Sequence, residues 1–164
     1  MRGAHGSALR DRCRSLLIAT DRPTGADGEP EELDELVAIV NAVLGSPLWQ
    51  RVQAADAVLV EAPFSLALTA EEYAALGRST GVAAGDGAGQ EIIEGVVDLA
   101  FRESGAWTVV DYKSDEAGSA IEAPRRAKYR AQVELYAAAV ERITGEAVAG
   151  RTLLFTADAA VETW

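Results

Sequence analysis

Two aspartates and a lysine are the residues of this sequence best placed to do chemistry together. Asp111 and Lys113 stand two apart in Val109-Val110-Asp111-Tyr112-Lys113. In an extended strand that spacing sends both side chains to one sheet face and Tyr112 to the other. Asp98 closes the run Gly95-Val96-Val97-Asp98, so its apolar neighbours put it on a mostly buried strand. Pairing of the two strands brings Asp98 and Asp111 together at a sheet edge. Two carboxylates held that close repel each other, and isolated buried charges are expensive. A divalent cation relieves both problems. Hard oxygen donors suit Mg²⁺ or Mn²⁺, which keep several waters and take one or two carboxylates plus phosphate oxygens. The cation supplies Lewis acidity and lowers the pKa of a bound water, while Lys113 can orient or help deprotonate that water and stabilise charge on a phosphate. In outline this is a site for phosphodiester hydrolysis. Asp-x-Lys alone is a common short spacing. The weight comes from its context: Gly95 three residues before Asp98, an apolar run before Asp111, and Gln132 and Tyr136 one helical turn apart downstream on a shared face.

The elements that must position these residues can be read from periodicity. Residues 6–19 form a helix with Leu9, Cys13, Leu16 and Leu17 at helical spacing. Residues 21–30 are dense in breakers and read as a loop. A second helix spans 31–44, with Leu33, Leu36, Val37, Val40 and Leu44 as its stripe and Gly45 as its stop. Ser46-Pro47-Leu48-Trp49 opens a short third helix. From Ala57 the texture turns to β: a strand over 58–66, bulged or ended at Pro63, then a short helix or turn over 69–77 and a loop over 81–90. The runs 91–102 and 106–113, joined by Glu103-Ser104-Gly105, make an antiparallel hairpin. A polar loop containing Gly118 and Pro124 leads to a long amphipathic helix over 125–143, and strands over 150–155 and 161–164 close the chain. This order predicts a mixed α/β fold, one sheet with helices against it. Residues 1–55 form a helical N-terminal part and 56–164 the core of a single domain.

Composition narrows the class. A chain of 164 residues and 17.3 kDa makes one good core and not two. No apolar stretch is long enough to span a bilayer, and no apolar segment follows the basic start, so neither a membrane nor a secretory leader is expected. Cys13 is the only cysteine, which excludes an internal disulfide and a cysteine-based zinc site. The cytoplasm is the expected compartment. A net charge of −11 argues at first against a nucleic-acid partner. Its distribution softens that objection. Arg2, Arg10, Arg12 and Arg14 face only Asp11 within residues 1–14, and Arg125, Arg126, Lys128 and Arg130 cluster in 124–130 with no acid among them. Such segments can touch phosphates while the rest of the surface stays acidic; as solvated helix faces they would look the same.

The series Gly95-Val-Val-Asp98, Val109-Val-Asp111-Tyr112-Lys113 and Gln132-Val-Glu-Leu-Tyr136 resembles the G-x-x-D, D-Y-K and Q-x-x-x-Y motifs of the RecB/AddA-like nucleases of the PD-(D/E)xK superfamily. Upstream, Glu61-Ala-Pro63-Phe64 is similar to that family's E-x-P-F strand. The likeness is strong from about residue 57 onward and weak before it. It implies a restriction-endonuclease-like mixed sheet flanked by helices, with Asp98 and Asp111 as metal ligands for Mg²⁺ (or Mn²⁺) and Lys113 as the catalytic lysine. Gln132 and Tyr136 would line the site, and Arg125, Arg126, Lys128 and Arg130 would grip DNA. By the same resemblance the activity is exonucleolytic processing of unwound DNA in recombination and repair, in a domain carried by or partnered with a helicase module, so the chain can be a fragment of a larger helicase-nuclease. It holds no G-x-x-x-x-G-K-[ST] phosphate loop of its own.

One position departs from the pattern. The family offers a histidine ligand in a G-x-x-x-H first helix; taking Gly6 as that glycine puts Arg10 at the histidine, with water filling the vacant ligand position. The only histidine, His5, precedes the helix and fits the spacing poorly. The alternative that this departure supports is a catalytically weakened, nuclease-like DNA-binding module of a helicase complex. A third reading, an acidic interaction domain using residues 29–35 against a basic partner, is separable by salt-dependent retention on DNA.

Overall fold

The chain's own patterning dictates which faces are covered, and a computed structural model, which describes residues 6–76, 90–114 and 123–164, shows how. Helices α1 (Ser7–Ala19) and α2 (Leu33–Leu44) pack through Leu9, Cys13, Leu17 and Leu33, backed by Leu36, Val37, Val40 and Leu44. The apolar stripes seen in the sequence meet each other there. Helix α3 (Pro47–Ala54) starts as its residues require: the Ser46 hydroxyl accepts the Trp49 N–H at 3.2 Å, and Pro47 occupies the first turn, where its missing N–H is not needed.

Five strands follow: β1 (Ala57–Thr69), β2 (Gln90–Glu103), β3 (Ala106–Lys113), β4 (Val148–Phe155) and β5 (Ala160–Thr163), in that spatial order. Every neighbouring pair is antiparallel except β3 and β4, which are parallel. Their connection carries helix α5 (Ala123–Thr144), as a parallel crossover requires. The short helix α4 (Ala70–Ala75) begins with a reciprocal capping box between Thr69 and Glu72.

Helices cover both sheet faces, the flanked mixed sheet expected from the sequence. One face packs on α5: Val133, Tyr136, Ala137 and Val140 meet Phe64, Val97, Val109, Leu153 and Phe155. The other packs on α3 through Leu48, Val52, Leu99, Phe101, Val110 and Leu154.

Several boundaries differ from the sequence reading. Strand β1 runs straight through Pro63 to Thr69; as an edge strand it tolerates an imino acid whose absent N–H leaves no inner ladder unmet. The irregularity sits instead at Glu61, whose φ is +48°. Pro124, read as loop, belongs to the first turn of α5, where proline is suited. The loop read over 81–90 lies outside the described residues except for Gln90, which begins β2, and so does Gly118.

Candidate active site

Strand register decides which side chains meet. The β2–β3 ladder runs from Glu103↔Ala106 to Leu99↔Val110 and stops. One step further it would set Asp98 against Asp111. Beyond that point β2 stays with β1 as far as Thr69↔Gln90, and β3 stays with β4 as far as Lys113↔Phe155. The sheet therefore opens between β2 and β3, two of its three inner strands. The sequence suggested an edge; the aspartates sit instead at a fork inside the sheet. The backbone N–H of Tyr112, left without a strand partner, donates to Asp98 Oδ2 at 3.0 Å, which satisfies a donor that opening would otherwise orphan.

The ladder between β1 and β2 is interrupted at the same level. Val60↔Leu99 and Ala62↔Val97 pair, and the missing pair between them is Glu61 with Asp98. Inward-facing positions run Ala57, Leu59 and then Ala62, Phe64, Leu66, so the alternation of β1 slips by one residue at Glu61. In β2 it slips beside Asp98, with Val97 facing α5 and Leu99 facing α3. Glu61, Asp98 and Asp111 thus share one register level across three strands. The Glu61 side chain is exposed, and among the described residues no three His, Cys, Asp or Glu side chains gather closely enough to hold a metal by themselves.

Asp111 is the buried centre of the arrangement, 1% exposed. Lys113 Nζ approaches its Oδ2 to 2.6 Å as an ion pair, yet among the described residues neither carboxylate oxygen receives a hydrogen bond of good geometry. Burial pushes its pKa up to about 6 against the pull of Lys113, and the charge of Asp98 adds to the rise. Two hard carboxylates, one of them buried with unsatisfied oxygens, form a donor set that fits Mg²⁺ or Mn²⁺. The same features disfavour a cation-free charged state.

Lys113 and Tyr112 take opposite faces. Tyr112 packs beside Val110 and Leu154 on the α3 side; burial, then the charge of Asp98, pushes its phenol up to about 12. The Lys113 ammonium turns to α5 and donates to Gln132 Oε1 at 3.0 Å, and Gln132 Nε2 donates to the Tyr136 hydroxyl at 2.6 Å. The Tyr136 ring meets Phe64 edge-on, centroids 5.9 Å apart. Phe64 is the register partner of Gly95, and a Cβ built on Gly95 would lie 2.7 Å from the Phe64 ring. Only glycine lets that ring lie across β2 and buttress Tyr136. Asp98, Asp111, Lys113, Gln132 and Tyr136 are therefore brought together around the fork.

The basic residues of α5 are placed differently. Arg126 is ion-paired with Glu162 of β5, and Arg130 lies 3.8 Å from the same carboxylate and over the Trp164 ring at 4.7 Å. Arg125 Nε donates to the Tyr129 hydroxyl at 2.7 Å; Lys128 is exposed. Arg10 is not drawn to the carboxylates: it pairs with Asp34 on the outside of the α1–α2 pair, its side chain 47% exposed. Arg14 is likewise held, by Glu29. Acids of the loop after α1 and of the first turn of α2 thus absorb arginines that the charge pattern offered to phosphates. Tyr129, whose ring faces the Lys113 ammonium at 4.6 Å, was missed by sequence reasoning. Its spacing of three before Gln132 and seven before Tyr136 was the available signal.

A mixed sheet thus forks around two carboxylates and a lysine, with a glutamine and a tyrosine supplied by the crossover helix. Residues 7–163 match the family model of the PD-(D/E)XK nuclease superfamily, and the chain belongs to that superfamily. It is 37% identical over 115 residues to an ATP-dependent helicase/nuclease subunit of Heliobacterium modesticaldum, covering 67% of this chain and 8% of that protein. The subunits of the same name from Carboxydothermus hydrogenoformans and Geobacillus thermodenitrificans are 34% and 35% identical, over 88% and 85% of this chain and 12% and 11% of theirs. The chain thus spans about a tenth of the length of these relatives.

Proposed function

We propose that this domain hydrolyses phosphodiester bonds in DNA, with Mg²⁺ or Mn²⁺ held by Asp98 and Asp111. The observation that carries the reading is Asp111, a buried carboxylate that is ion-paired with Lys113, receives no hydrogen bond of good geometry among the described residues, and faces a second carboxylate. Such a group is poorly accommodated without a cation and well suited to one. The cation, when bound, supplies Lewis acidity and a water of lowered pKa. Asp98 and Asp111 would hold it through their carboxylate oxygens. Lys113, steadied by Gln132, orients the attacking water and offsets charge that accumulates on the phosphate. Tyr136 fixes Gln132 and lines the site. Arg125, Arg126, Lys128 and Arg130, on the first turns of α5, contact phosphates of the strand being cut.

The names of the relatives couple a helicase with a nuclease, which supports exonucleolytic trimming of unwound strands in recombination and repair. The helicase module would come from the remainder of a larger protein or from a separate partner protein. No helix among the described residues is long and apolar enough to cross a membrane; the cytoplasm is the compartment we assign, and it rests on the reading of the domain as a DNA nuclease.

The test is a Mg²⁺ and Mn²⁺ titration of cleavage on single- and double-stranded DNA with the wild type, Asp98→Ala, Asp111→Ala and Lys113→Ala. Either aspartate variant should lose metal-dependent cleavage with its fold intact. Lys113→Ala should lose cleavage and keep metal binding. Wild-type turnover by Asp111→Ala would remove this mechanism.

A further inference from the structure

The Lys113 ammonium has a neighbour beyond Asp111 and Gln132. Its Nζ lies 4.6 Å from the centre of the Tyr129 ring, inside the range where the negative face of an aromatic ring attracts a cation. Tyr129 is half-buried against the α5-side core, three residues before Gln132. One helix surface therefore fixes both the ring and the amide that meet the lysine. The hydroxyl of the same residue faces elsewhere: it accepts from Arg125 Nε at 2.7 Å, and the Arg125 guanidinium carbon lies 5.7 Å from the ring centre. The ring thus lies nearer to Lys113 than to Arg125, and the hydroxyl adds a hydrogen bond to Arg125.

We propose that Tyr129 is a positioning residue whose ring face holds Lys113 at the carboxylates while its hydroxyl sets the reach of Arg125. The inference rests on the nuclease reading above and adds to it. Lysine is a point charge on a four-carbon stem with many rotamers, and it must be confined to act at one place. Its ion pair with Asp111 cannot be the sole restraint, because a cation held by that carboxylate competes for the same negative charge. The Tyr129 face and the Gln132 carbonyl do not take part in that competition. They retain the ammonium when the carboxylate is shared.

Three variants and two readouts test this. In the cation-free protein, ring current from Tyr129 should move the NMR signals of the Lys113 ε-methylene protons upfield. Tyr129→Phe keeps the face and should keep that shift; Tyr129→Leu should abolish it. In DNA cleavage, Tyr129→Leu should lower kcat on the order of tenfold, the size of a partly desolvated cation–ring contact. It should also raise KM at least as much as Tyr129→Phe, because it too loses the hydroxyl that meets Arg125. Tyr129→Phe should keep kcat near wild type and raise KM, because the ring face stays while the bond to Arg125 is lost. Trifluorophenylalanine at position 129 keeps the ring's bulk and weakens its negative face, so its kcat should fall towards that of Tyr129→Leu even if the leucine variant folds poorly. Wild-type kcat in both the leucine and fluorinated variants would overturn the proposal, as would a Tyr129→Phe variant as slow as Tyr129→Leu. The proton shift is read without metal or DNA, so a wild-type protein that shows the shift and cuts no DNA would sink the nuclease reading and leave the Tyr129–Lys113 contact standing.

Discussion

The two ends of the β2–β3 pair differ sharply although they are built from the same strands in the same register. From Leu99↔Val110 to Glu103↔Ala106 every position has a cross-strand partner, and Leu99, Ala100, Phe101, Val109 and Val110 are at most 1% exposed. One residue further on, Asp98 and Asp111 replace the apolar pair and the ladder ends. Burying a valine or leucine contributes about 1.5–3 kcal/mol, whereas burying a carboxylate without adequate hydrogen bonds opposes folding. The closed end of the hairpin therefore holds the open end in an arrangement that the open end would not adopt unaided. Stability and the proposed chemistry are separated along one pair of strands by a single register step.

The sharpest way to break that contrast is Asp111→Asn, which keeps the shape of the side chain and removes its charge. Metal-dependent DNA cleavage should fall about a thousandfold, the scale of several kcal/mol of charge stabilisation at a metal site. Cation-free stability should rise by up to about 3 kcal/mol, because the desolvated charge is gone. Val109→Ala, at the closed end, should do the reverse: about 1–3 kcal/mol of stability lost and a much smaller change in kcat. Thermal or denaturant melts beside a cleavage assay check both halves. Equal losses of activity in the two variants would dissolve the distinction between the ends.

The pH dependence follows from the same residue. The folded-state pKa of Asp111 is near 6 against an ordinary 3.8, so between these values the native state binds more protons than the unfolded chain. Stability from this group is greatest at low pH, falls as pH rises through that window and levels off above about 6, a span of about 3 kcal/mol. Binding of a divalent cation needs the carboxylate ionised, so stabilisation by Mg²⁺ or Mn²⁺ should grow over the same window and be accompanied by proton release. Melts from pH 4 to 7, with and without metal, should therefore diverge as pH rises; parallel curves would mean that the cation does not use Asp111.

How legible was this in the sequence? The closed end was readable because strict β patterning and the turn at Glu103-Ser104-Gly105 leave one good pairing. Asp111 and Lys113 were readable from their spacing of two, since strand period alone separates them from Tyr112. The fork was not, because it depends on where a ladder stops and nothing local marks that point. The slip at Glu61 was likewise hidden: its φ of +48° contradicts the preference of its residue type, and nothing local in the sequence marks it. Arg10 shows the opposite limit. A local charge count offered it to phosphates and a motif register offered it to the metal, but Asp34, 24 residues away, holds it. Partners distant in sequence cannot be read from a run of like charges.

Gly95 tests whether the open end needs its buttress. A methyl group there would sit 2.7 Å from Phe64 Cζ, and that ring supports Tyr136, which fixes Gln132. Gly95→Ala should lower stability by about 1–3 kcal/mol through overpacking and lower kcat as the Tyr136–Gln132–Lys113 chain loosens. Adding Phe64→Leu should recover more stability than activity, since the clash is relieved but the edge-on support of Tyr136 is not restored. Recovery of both to wild type would show that Phe64 only fills space.

The smallest expected effect compares the two groups of arginines. Arg10 and Asp34 form an exposed pair, of a kind worth about 0–1 kcal/mol. Arg10→His should therefore leave both the metal titration of cleavage and DNA affinity unchanged, because the side chain belongs to the outside of the α1–α2 pair. Glu162 is different. Its carboxylate, 21% exposed, lies against Arg126 and Arg130 on the helix that presents Gln132 and Tyr136, and it competes with any phosphate for those guanidinium groups. Glu162→Gln removes that competitor without removing a base, so DNA affinity at low salt should rise severalfold. The slope of log K against log salt should steepen by up to about one unit for each arginine that gains a phosphate. Conversely, Arg126→Gln with Arg130→Gln should weaken binding on all sequences alike and flatten the slope. Fluorescence anisotropy on a labelled single strand over a range of salt reads both changes. An unchanged slope in Glu162→Gln and in the double variant would mean that the two arginines clamp α5 to β5 and that phosphates are held elsewhere.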